Sequence, residues 1–311
     1  MTDGAASAPA FVAVDWGTSS FRLWLIAGDG GVLGESRGGE GMMHCSTAGF
    51  EPVLERHLAV VNAPSWLPVM ICGMAGARQG WIEAPYLDVP TALDALPRAA
   101  VAVPHDGRDI RILPGLCQRD PHAPNVMRGE ETQLLGLRPQ ARGHRLVCMP
   151  GTHSKWVTLE DDKVVSFQSY MTGELYAVLT RHAVLRHAVV PDSRTVADDP
   201  VFLGAFESAY AEPARVWARL FEPRPAQLLG LEETKDGAAH LSGLLIGAEI
   251  GAASMRSSQR GITLVGSGQL GRLYAAALER AGFELVLADA EQVTRDGLVH
   301  AAGQIWGTNN G

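Results

Sequence analysis

The chain contains two short hydroxyl-rich turns, each placed after an apolar run that is typical of a buried strand. The first turn follows the apolar residues 11–14 and consists of Gly17, Thr18, Ser19 and Ser20. Its hydroxyl and backbone N–H groups can bind phosphate oxygens without adding charge, and a glycine lets the backbone approach an anion. Asp15 precedes this turn and is predicted to hold Mg²⁺ through water, because Mg²⁺ keeps most of its hydration shell. Taken alone, the same residues also fit an ordinary β-hairpin.

The pattern Gly-Thr-x-Ser recurs in the other half of the chain, after the apolar run at residues 146–149. A basic residue and a tryptophan follow the turn in both copies. Two such turns predict two related half-molecules facing one phosphate chain, although a four-residue pattern can also repeat by chance. The residues of the second turn predicted to bind phosphate are Gly151, Thr152, His153, Ser154 and Lys155.

Phosphoryl transfer also requires a base that orients the acceptor hydroxyl, because positioning and electrostatics supply most of the catalysis. Glu130 and Glu131 lie in a segment, residues 125–137, whose pattern predicts a helix. We predict Glu130 as the base and Glu131 as the second candidate. Acidic residues in a first helical turn are also stabilised by the helix dipole, so the pair has a purely structural explanation as well.

A glycine-rich loop after the predicted strand at residues 68–73 exposes groups suited to a polyhydroxylated acid. The loop contains Arg78, Gln79 and Trp81, of which Arg78 could bind a carboxylate and Trp81 could cover a carbon face. A solvated turn with a packed tryptophan is the alternative. Weaker candidates of the same kind are residues 39–42, with Gly41 and Met42, and residues 171–174. Arg128, next to Glu130, could be a second anion contact or merely part of an ion pair at the helix end.

Residues 262–272 read as a strand, a glycine-rich turn and a helix, and they match G-x-G-x-x-G. With Asp289 after the next strand, this pattern could belong to an NAD-dependent oxidoreductase. The motif lies so close to the C-terminus, however, that too few residues remain for the further parallel strands of a dinucleotide fold. We therefore interpret the turn as a surface for adenosine, with a helix N-terminus near its phosphate. This surface comprises Gly266, Ser267, Gly268 and Gln269.

Composition narrows the classes of partner. The 311 residues carry a formal net charge of −8 without a Lys/Arg block, which disfavours nucleic acid. No stretch has the length of a membrane span, and the first ten residues lack the pattern of a signal peptide. The four cysteines include no C-x-x-C pair, which favours reduced thiols and a cytoplasmic location. The expected partner is a small molecule, and a homo-oligomer is compatible with the sequence.

The order of the predicted elements indicates an α/β protein with mixed sheets flanked by helices. Three strands followed by alternating helices and strands open each half of the chain. We predict a loose tail at residues 1–10, an N-terminal lobe at 11–125 and a C-terminal lobe at 126–311. The C-terminal lobe would then contain the catalytic acid, the second phosphate turn, the adenosine turn and a last helix near residues 296–306.

Five segments together resemble the sugar-kinase branch of the actin, Hsp70 and hexokinase superfamily, and most closely the 2-dehydro-3-deoxygalactonokinases. These segments are DWGTSSFRLW, CGMAGARQGWIEAPYL, RGEETQLLG, MPGTHSKWV and LVGSGQLGRLYAAAL, and the likeness covers about residues 11–305. The resemblance implies two ribonuclease-H-like lobes with a cleft between them, the actin-like ATPase fold. It also implies transfer of the ATP γ-phosphate to a hydroxyl of 2-dehydro-3-deoxy-galactonate, in galactonate catabolism.

One segment departs from the wider superfamily. The base there is usually an Asp in a G-D-x-x element, whereas Gly129 is followed here by Glu130 and Glu131. A glutamate can do this work but reaches farther. Besides a kinase and an NAD-dependent oxidoreductase, a non-catalytic nucleotide-gated binding protein of the same fold would also explain the turns.

Overall fold

The computed structural model describes residues 8–137, 143–190, 195–256 and 259–307. Residues 1–7 of the predicted tail lie outside this part. Packing divides the chain into two compact units. The first contains the described residues of Met1–Gly143, Glu160–Ser166 and Ala290–Gly311, and the second contains those of His144–Leu159 and Phe167–Asp289.

The first unit is built on a six-stranded sheet and a three-stranded sheet. Its strands are β1 (Pro9–Trp16), β2 (Phe21–Ala27), β3 (Val32–Gly38), β4 (Val69–Gly73), β5 (Tyr86–Asp88), β6 (Thr91–Ala92), β7 (Val101–Val103), β8 (Ile110–Ile112), β9 (Gly115–Gln118) and β10 (Asn125–Met127). The larger sheet has the order β3-β2-β1-β4-β8-β7, and the smaller has the order β10-β9-β5. β1 pairs antiparallel with β2 and parallel with β4. The apolar run of β1 is buried at the centre, which fixes the position at which the chain emerges at Asp15.

Four helices of the first unit precede the second unit in the chain. They are α1 (Met42–Ala48), α2 (Phe50–Val60), α3 (Ala95–Arg98) and α4 (Glu130–Gly136). The helix predicted over residues 125–137 is therefore shorter than expected, because β10 occupies its first residues. Gly129, with φ +107°, separates the strand from the helix, and this conformation strongly favours glycine.

The second unit contains five strands and six helices among its described residues. The strands are β11 (His144–Met149), β12 (Ser154–Glu160), β13 (Lys163–Tyr170), β14 (Gly261–Gly266) and β15 (Glu284–Asp289). The helices are α5 (Thr172–His182), α6 (Pro200–Ala211), α7 (Val216–Arg219), α8 (Pro223–Leu228), α9 (Gly237–Ser254) and α10 (Gly268–Arg280). β13 begins in the first unit, where its Lys163 and Val164 pair with β6, and it ends in the second.

The two units share one strand order. The second sheet has six strands in the order β6-β13-β12-β11-β14-β15, and the first has the order β3-β2-β1-β4-β8-β7. In each unit the first strand therefore lies between the second and the fourth, and it pairs in parallel with the latter. This is the ribonuclease-H-like arrangement, so the predicted fold class is confirmed.

The last helix, α11 (Ala290–Trp306), starts earlier than the predicted residue 296 and belongs to the first unit. It packs against α4 so closely that a Cβ on Gly136 or on Gly297 would overlap backbone of the opposite helix. The compact units thus differ from the predicted lobes in three ways: the first extends past residue 125 to Gly143, it contains Glu160–Ser166, and it also contains the C-terminal helix. In the described residues, no helix has the length and apolar character needed to cross a membrane.

In the second unit, α9 and α6 pack closely through small residues. A Cβ on Gly247 would overlap the carbonyl oxygen of Phe206, whereas a Cβ on Gly204 of α6 would meet no atom within 4 Å. We expect Gly247→Ala to destabilise the protein by about 3 kcal/mol through overpacking. Gly204→Ala is the matched control and should stabilise by up to about 1 kcal/mol, because glycine disfavours helix. Thermal unfolding of both variants checks this, and equal melting temperatures would contradict it.

Candidate active site

The first hydroxyl-rich turn closes the β1–β2 hairpin of the first unit. Trp16 pairs with Phe21, and the N–H of Gly17 donates to the carbonyl of Ser20 at 2.9 Å. The side chains between them, Thr18, Ser19 and Ser20, are exposed. The turn therefore presents three hydroxyl groups on a fixed hairpin.

The start of α1 holds this turn from the other side. The N–H of Met42 donates to the carbonyl of Gly17 at 3.0 Å, and the N–H of Met43 donates to the carbonyl of Thr18 at 3.1 Å. Gly41 is buried directly before them. Gly41 and Met42, predicted as acceptor-binding residues, thus contact the first hydroxyl-rich turn through their backbone.

Asp15 lies at the end of β1 with its side chain 24% exposed. Its Oδ2 is 3.7 Å from the Nη1 of Arg22, and the Sγ of Cys72 donates to its Oδ1 at 3.9 Å. Burial raises the pKa of Asp15, and the Arg22 guanidinium opposes that shift. Arg22 also contacts Glu291 at 3.7 Å. No sequence motif indicated this charge network, because Glu291 is remote from Asp15 in the chain.

Among the described residues, no group of three or more His, Cys, Asp and Glu side chains could hold a metal ion. Asp15 is nevertheless a partly exposed carboxylate next to three exposed hydroxyl groups. This donor set fits Mg²⁺, which binds through one or two carboxylates, phosphate oxygens and retained waters.

Glu130 and Glu131 begin α4 in different environments. Glu131 is 0% exposed, and its carboxylate accepts hydrogen bonds from the N–H of Gly129 at 2.7 Å and the hydroxyl of Thr132 at 3.2 Å. Glu130 is half-buried and accepts from the N–H of Arg128 at 3.0 Å. Burial, followed by the charge of Glu130, raises the pKa of Glu131 to about 8. Glu131 is therefore mainly protonated at neutral pH.

This raised pKa predicts how stability depends on pH. The ordinary value is 4.5, so between 4.5 and about 8 the folded chain holds a proton that the unfolded chain has released. The stability contributed by protonated Glu131 is present in full below the ordinary pKa of 4.5, and it is lost as the pH rises through the folded-state pKa of about 8. The loss should reach about 5 kcal/mol at most. In Glu131→Gln this slope should disappear, and urea unfolding from about pH 5 to about pH 8 measures it. Parallel pH profiles for the variant and the parent would contradict the expectation.

The predicted acceptor residues divide into an exposed pair and a packed group. Arg78 and Gln79 are exposed. Trp81, by contrast, stacks on Phe50 with ring centroids 6.0 Å apart and lies edge-on to Trp16, so its ring is packed against the core. This contact matches the alternative of a packed tryptophan.

Arg128 is partly buried in the same unit. Its Nη2 donates to the carbonyl of Ala84 at 2.8 Å, and its guanidinium lies 4.3 Å from the centre of the Tyr86 ring. Its Nε and Nη1 are buried and have no hydrogen-bond partner in the described part of the chain. Such unsatisfied donors favour an anion at this position.

The second hydroxyl-rich turn joins β11 to β12 in the second unit. Thr152 and His153 are exposed, and the His153 Nε2 is 2.5 Å from a carboxylate oxygen of Glu174. Lys155 is only 3% exposed, and its ammonium donates to the carbonyl of His153 at 2.9 Å. This bond ties the Lys155 side chain to the backbone of the turn, and its contact with phosphate stays a prediction.

A cavity of about 450 Å³ opens beside this turn, within the second unit. Gly151 and Thr152 line it together with Gln269, whose amide donates to the carbonyl of Thr195 at 2.7 Å. The rest of the wall is largely apolar and includes Leu245, Ile246, Leu270 and Leu273. The structure thus brings the second turn and part of the predicted adenosine turn around one pocket suited to a flat base and a sugar. Sequence reasoning missed three of its polar residues, Tyr176, Thr195 and Ser242, which belong to no motif.

The other residues of the adenosine turn line a second cavity of about 290 Å³. Gly266, Ser267 and Gly268 form part of its wall, with Asp289 at the end of β15. β15 lies at the edge of its sheet, and no further parallel strand follows it in the described residues. A dinucleotide fold needs such strands, so the alternative of an NAD-dependent oxidoreductase is not supported.

Two ribonuclease-H-like units, each with a hydroxyl-rich turn after its first strand, define the class of actin-like ATPases and sugar kinases. A solved structure shares this fold at 13% identity and a TM-score of 0.52: the activator of the 2-hydroxyisocaproyl-CoA dehydratase from Clostridium difficile with bound ADPNP, with 96% of this chain and 98% of that chain covered.

Within that class, the sequence model of the 2-keto-3-deoxy-galactonokinase family matches residues 15–301. The 2-dehydro-3-deoxygalactonokinase of Escherichia coli is 36% identical, over 93% of this chain and 96% of the relative. A crystal structure from Sinorhizobium meliloti, named provisionally as a 2-dehydro-3-deoxygalactonokinase, is 51% identical with a TM-score of 0.92, covering 95% of this chain and 99% of that one. The chain belongs to the 2-keto-3-deoxy-galactonokinase family. The sequence-based prediction of a sugar-acid kinase is confirmed at this level.

Proposed function

We propose that this chain transfers the γ-phosphoryl group of ATP to a hydroxyl of 2-dehydro-3-deoxy-galactonate, as a step of galactonate catabolism. The observation that carries the proposal is the match to the kinase family along residues 15–301. The exposed hydroxyl-rich turns and the glutamate at the start of α4 support it, since phosphoryl transfer needs phosphate donors and a base.

In this proposal the second unit binds the nucleotide. Backbone and hydroxyl donors of Gly151, Thr152, His153 and Ser154 hold ATP phosphates. The adenosine occupies the 450 Å³ cavity, where Gln269 and the apolar wall contact it. Gly266, Ser267 and Gly268 lead from β14 to Gln269 at the N-terminus of α10, whose dipole favours phosphate. Lys155 contributes by holding the His153 carbonyl in place.

The first unit then supplies the groups that act on the transferred phosphoryl. Thr18, Ser19 and Ser20 donate to its oxygens from the hairpin, and Gly17 sets the approach of the backbone. Asp15 would hold Mg²⁺ through water, and the ion would neutralise charge on the phosphate oxygens. Arg22 keeps Asp15 oriented, because the two side chains are already 3.7 Å apart.

Glu130 is the proposed base. It is the more exposed of the two acids, and its carboxylate can accept the proton of the acceptor hydroxyl as that oxygen bonds to the γ-phosphorus. The bond from phosphorus to the bridging oxygen breaks at the same time, and ADP leaves with the electron pair. Glu131 stays protonated and fixes the start of α4.

Arg78, Gln79 and Arg128 are the proposed contacts of the sugar acid. The exposed Arg78 and Gln79 can reach a carboxylate and hydroxyl groups, and the unpaired donors of Arg128 favour an anion nearby. Gly41 and Met42 would support this site by holding the first hydroxyl-rich turn in place. Trp81 would support it through its packing against Trp16 in the core.

We also place the protein in the cytoplasm, with a small molecule as its substrate. The four cysteines are free and buried, as expected where thiols stay reduced.

A coupled assay of ADP release tests the proposed reaction. The purified chain is incubated with ATP, Mg²⁺ and either 2-dehydro-3-deoxy-galactonate or its gluconate epimer, and a reaction without acceptor gives the background. We expect ADP formation that depends on the galactonate derivative. Release of ADP at the background rate with both acids would overturn the proposal, and reduction of NAD⁺ by the chain would revive the oxidoreductase alternative.

A further inference from the structure

A single acidic side chain lies at the centre of the second unit. Glu249, the sole acidic residue of α9, is 3% exposed. Its Oε1 accepts hydrogen bonds from the Ser154 hydroxyl at 2.6 Å and the Trp156 indole N–H at 2.8 Å. Its Oε2 accepts from the Tyr274 hydroxyl at 2.6 Å and from the hydroxyl of Thr172. One carboxylate therefore joins four elements: α9, β12, α5 and α10.

Burying the Glu249 carboxylate among neutral groups costs folding free energy. All four partners are neutral groups, and a carboxylate removed from water loses a large hydration energy that neutral hydrogen bonds only partly replace. Burial accordingly raises the pKa of Glu249, while the four hydrogen bonds act in the opposite direction. An apolar residue would fill the same space without this cost.

The bonds of Glu249 secure the second hydroxyl-rich turn at both sides. Ser154 is the residue at which the turn passes into β12. Thr172 begins α5, and two residues later the N–H of Glu174 donates to the carbonyl of Thr152 at 3.0 Å. Thr152 and His153 remain exposed, although Ser154 and Thr172 are anchored to the buried Glu249 carboxylate.

We propose that Glu249 is a positioning residue that fixes residues 151–154 in the conformation that binds the phosphates of ATP. It acts through Ser154 and Thr172 and does not itself contact the nucleotide. This inference rests on the proposed function, because it assigns the second turn to ATP.

The first arm of the test measures hydrogen exchange of backbone amides without any ligand. Glu249→Leu removes all four hydrogen bonds and should accelerate exchange at residues 151–154 and 172–174 by about tenfold or more. Ile250→Ala is the matched control: it truncates a buried side chain one residue further along α9 and keeps the carboxylate. It should leave those amides as slow as in the parent. Unchanged exchange in Glu249→Leu, or equal acceleration in both variants, would overturn the inference.

The second arm measures kinetics with ATP and the sugar acid. Glu249→Leu should raise the KM for ATP about tenfold or more while the KM for the acceptor stays within about twofold, because only the turn is displaced. Glu249→Gln should restore most of the affinity, since its amide oxygen accepts from Ser154 and Trp156 and its NH₂ can donate to the hydroxyls of Thr172 and Tyr274. A loss of kcat with an unchanged KM for ATP would indicate a merely structural role and would contradict the inference.

The two arms separate the failure of this inference from that of the proposed function. If neither sugar acid accepts phosphate, the proposed function fails, and the exchange arm still decides whether Glu249 fixes the turn. If Glu249→Leu does not fold, Thr172→Val takes its place, because it removes one of the four bonds, and the same criteria apply to it.

Discussion

Glu130→Gln is expected to lower kcat by about 10² to 10⁴-fold, the usual contribution of a positioned general base. The amide cannot accept the proton of the acceptor hydroxyl. Its oxygen can still accept the hydrogen bond from the N–H of Arg128, so the start of α4 should keep its structure. The KM for ATP should change little, because Glu130 is not among the residues proposed to bind the nucleotide or its phosphates. The ADP-release assay at saturating acceptor measures the effect.

Glu131→Gln is the control for this prediction. Glu131 is mainly protonated and already engaged by Gly129 and Thr132, so its replacement should cost less than about tenfold in kcat. If Glu130→Gln retained the parental rate while Glu131→Gln lost it, the base would be Glu131. If neither variant lost activity, no carboxylate of α4 would act as the base. A third outcome is that the parent shows no turnover at all and that Glu130→Gln keeps the binding function of the parent. That outcome would favour the non-catalytic nucleotide-gated binding protein.

Asp15→Asn is expected to reduce kcat by about 10² to 10³-fold. This is the usual effect of removing one preorganised group that stabilises charge in the transition state. The neutral amide should hold the hydrated metal weakly, so the Mg²⁺ concentration required for half-maximal rate should rise as well. Arg22 would lose its partner at 3.7 Å, but it would keep Glu291. A titration of the rate with Mg²⁺ at fixed ATP gives both quantities.

Glu35→Gln provides the comparison for Asp15→Asn. Glu35 pairs with Arg37, which also pairs with Glu291, and its side chain is 51% exposed. It therefore lies in the same charge network, yet its partner is an exposed surface arginine. This variant should leave both the rate and the Mg²⁺ requirement within about twofold of the parent, because exposed ion pairs contribute little. An Mg²⁺ requirement that is the same in Asp15→Asn and the parent would indicate that Asp15 only pairs with Arg22.

Local patterns in the sequence predicted most of the fold. The apolar runs of β1 and β11 and the turns after them are set by neighbouring residues, so their type and position could be predicted from the sequence alone. The bounds of the units could not, because they depend on packing between remote segments. The contact of Gly136 and Gly297 with opposite backbone places α11 in the first unit, and no pattern within 290–306 encodes that partner.

The candidate site shows the same division. Asp15, Glu130 and the hydroxyl groups of both turns were predicted from residue types and spacing, and their roles stay predictions. The burial of Lys155 and its bond to the carbonyl of His153, by contrast, could not be predicted from residue types and spacing. A lone acidic residue in the apolar run of α9 was a signal for Glu249, although its four partners lie far away in the sequence.

The return of α11 to the first unit has a consequence for the order in which the protein is made. The second unit is complete once Asp289 has been synthesised, whereas the first still lacks its last segment, Ala290–Gly311. On the ribosome the second unit can therefore reach its native packing first, and the half that begins the chain is the last to be finished. Until α11 has left the ribosome, α4, with Glu130 at its start, has no α11 to pack against, so the proposed base acquires its final support later than the second unit acquires its packing.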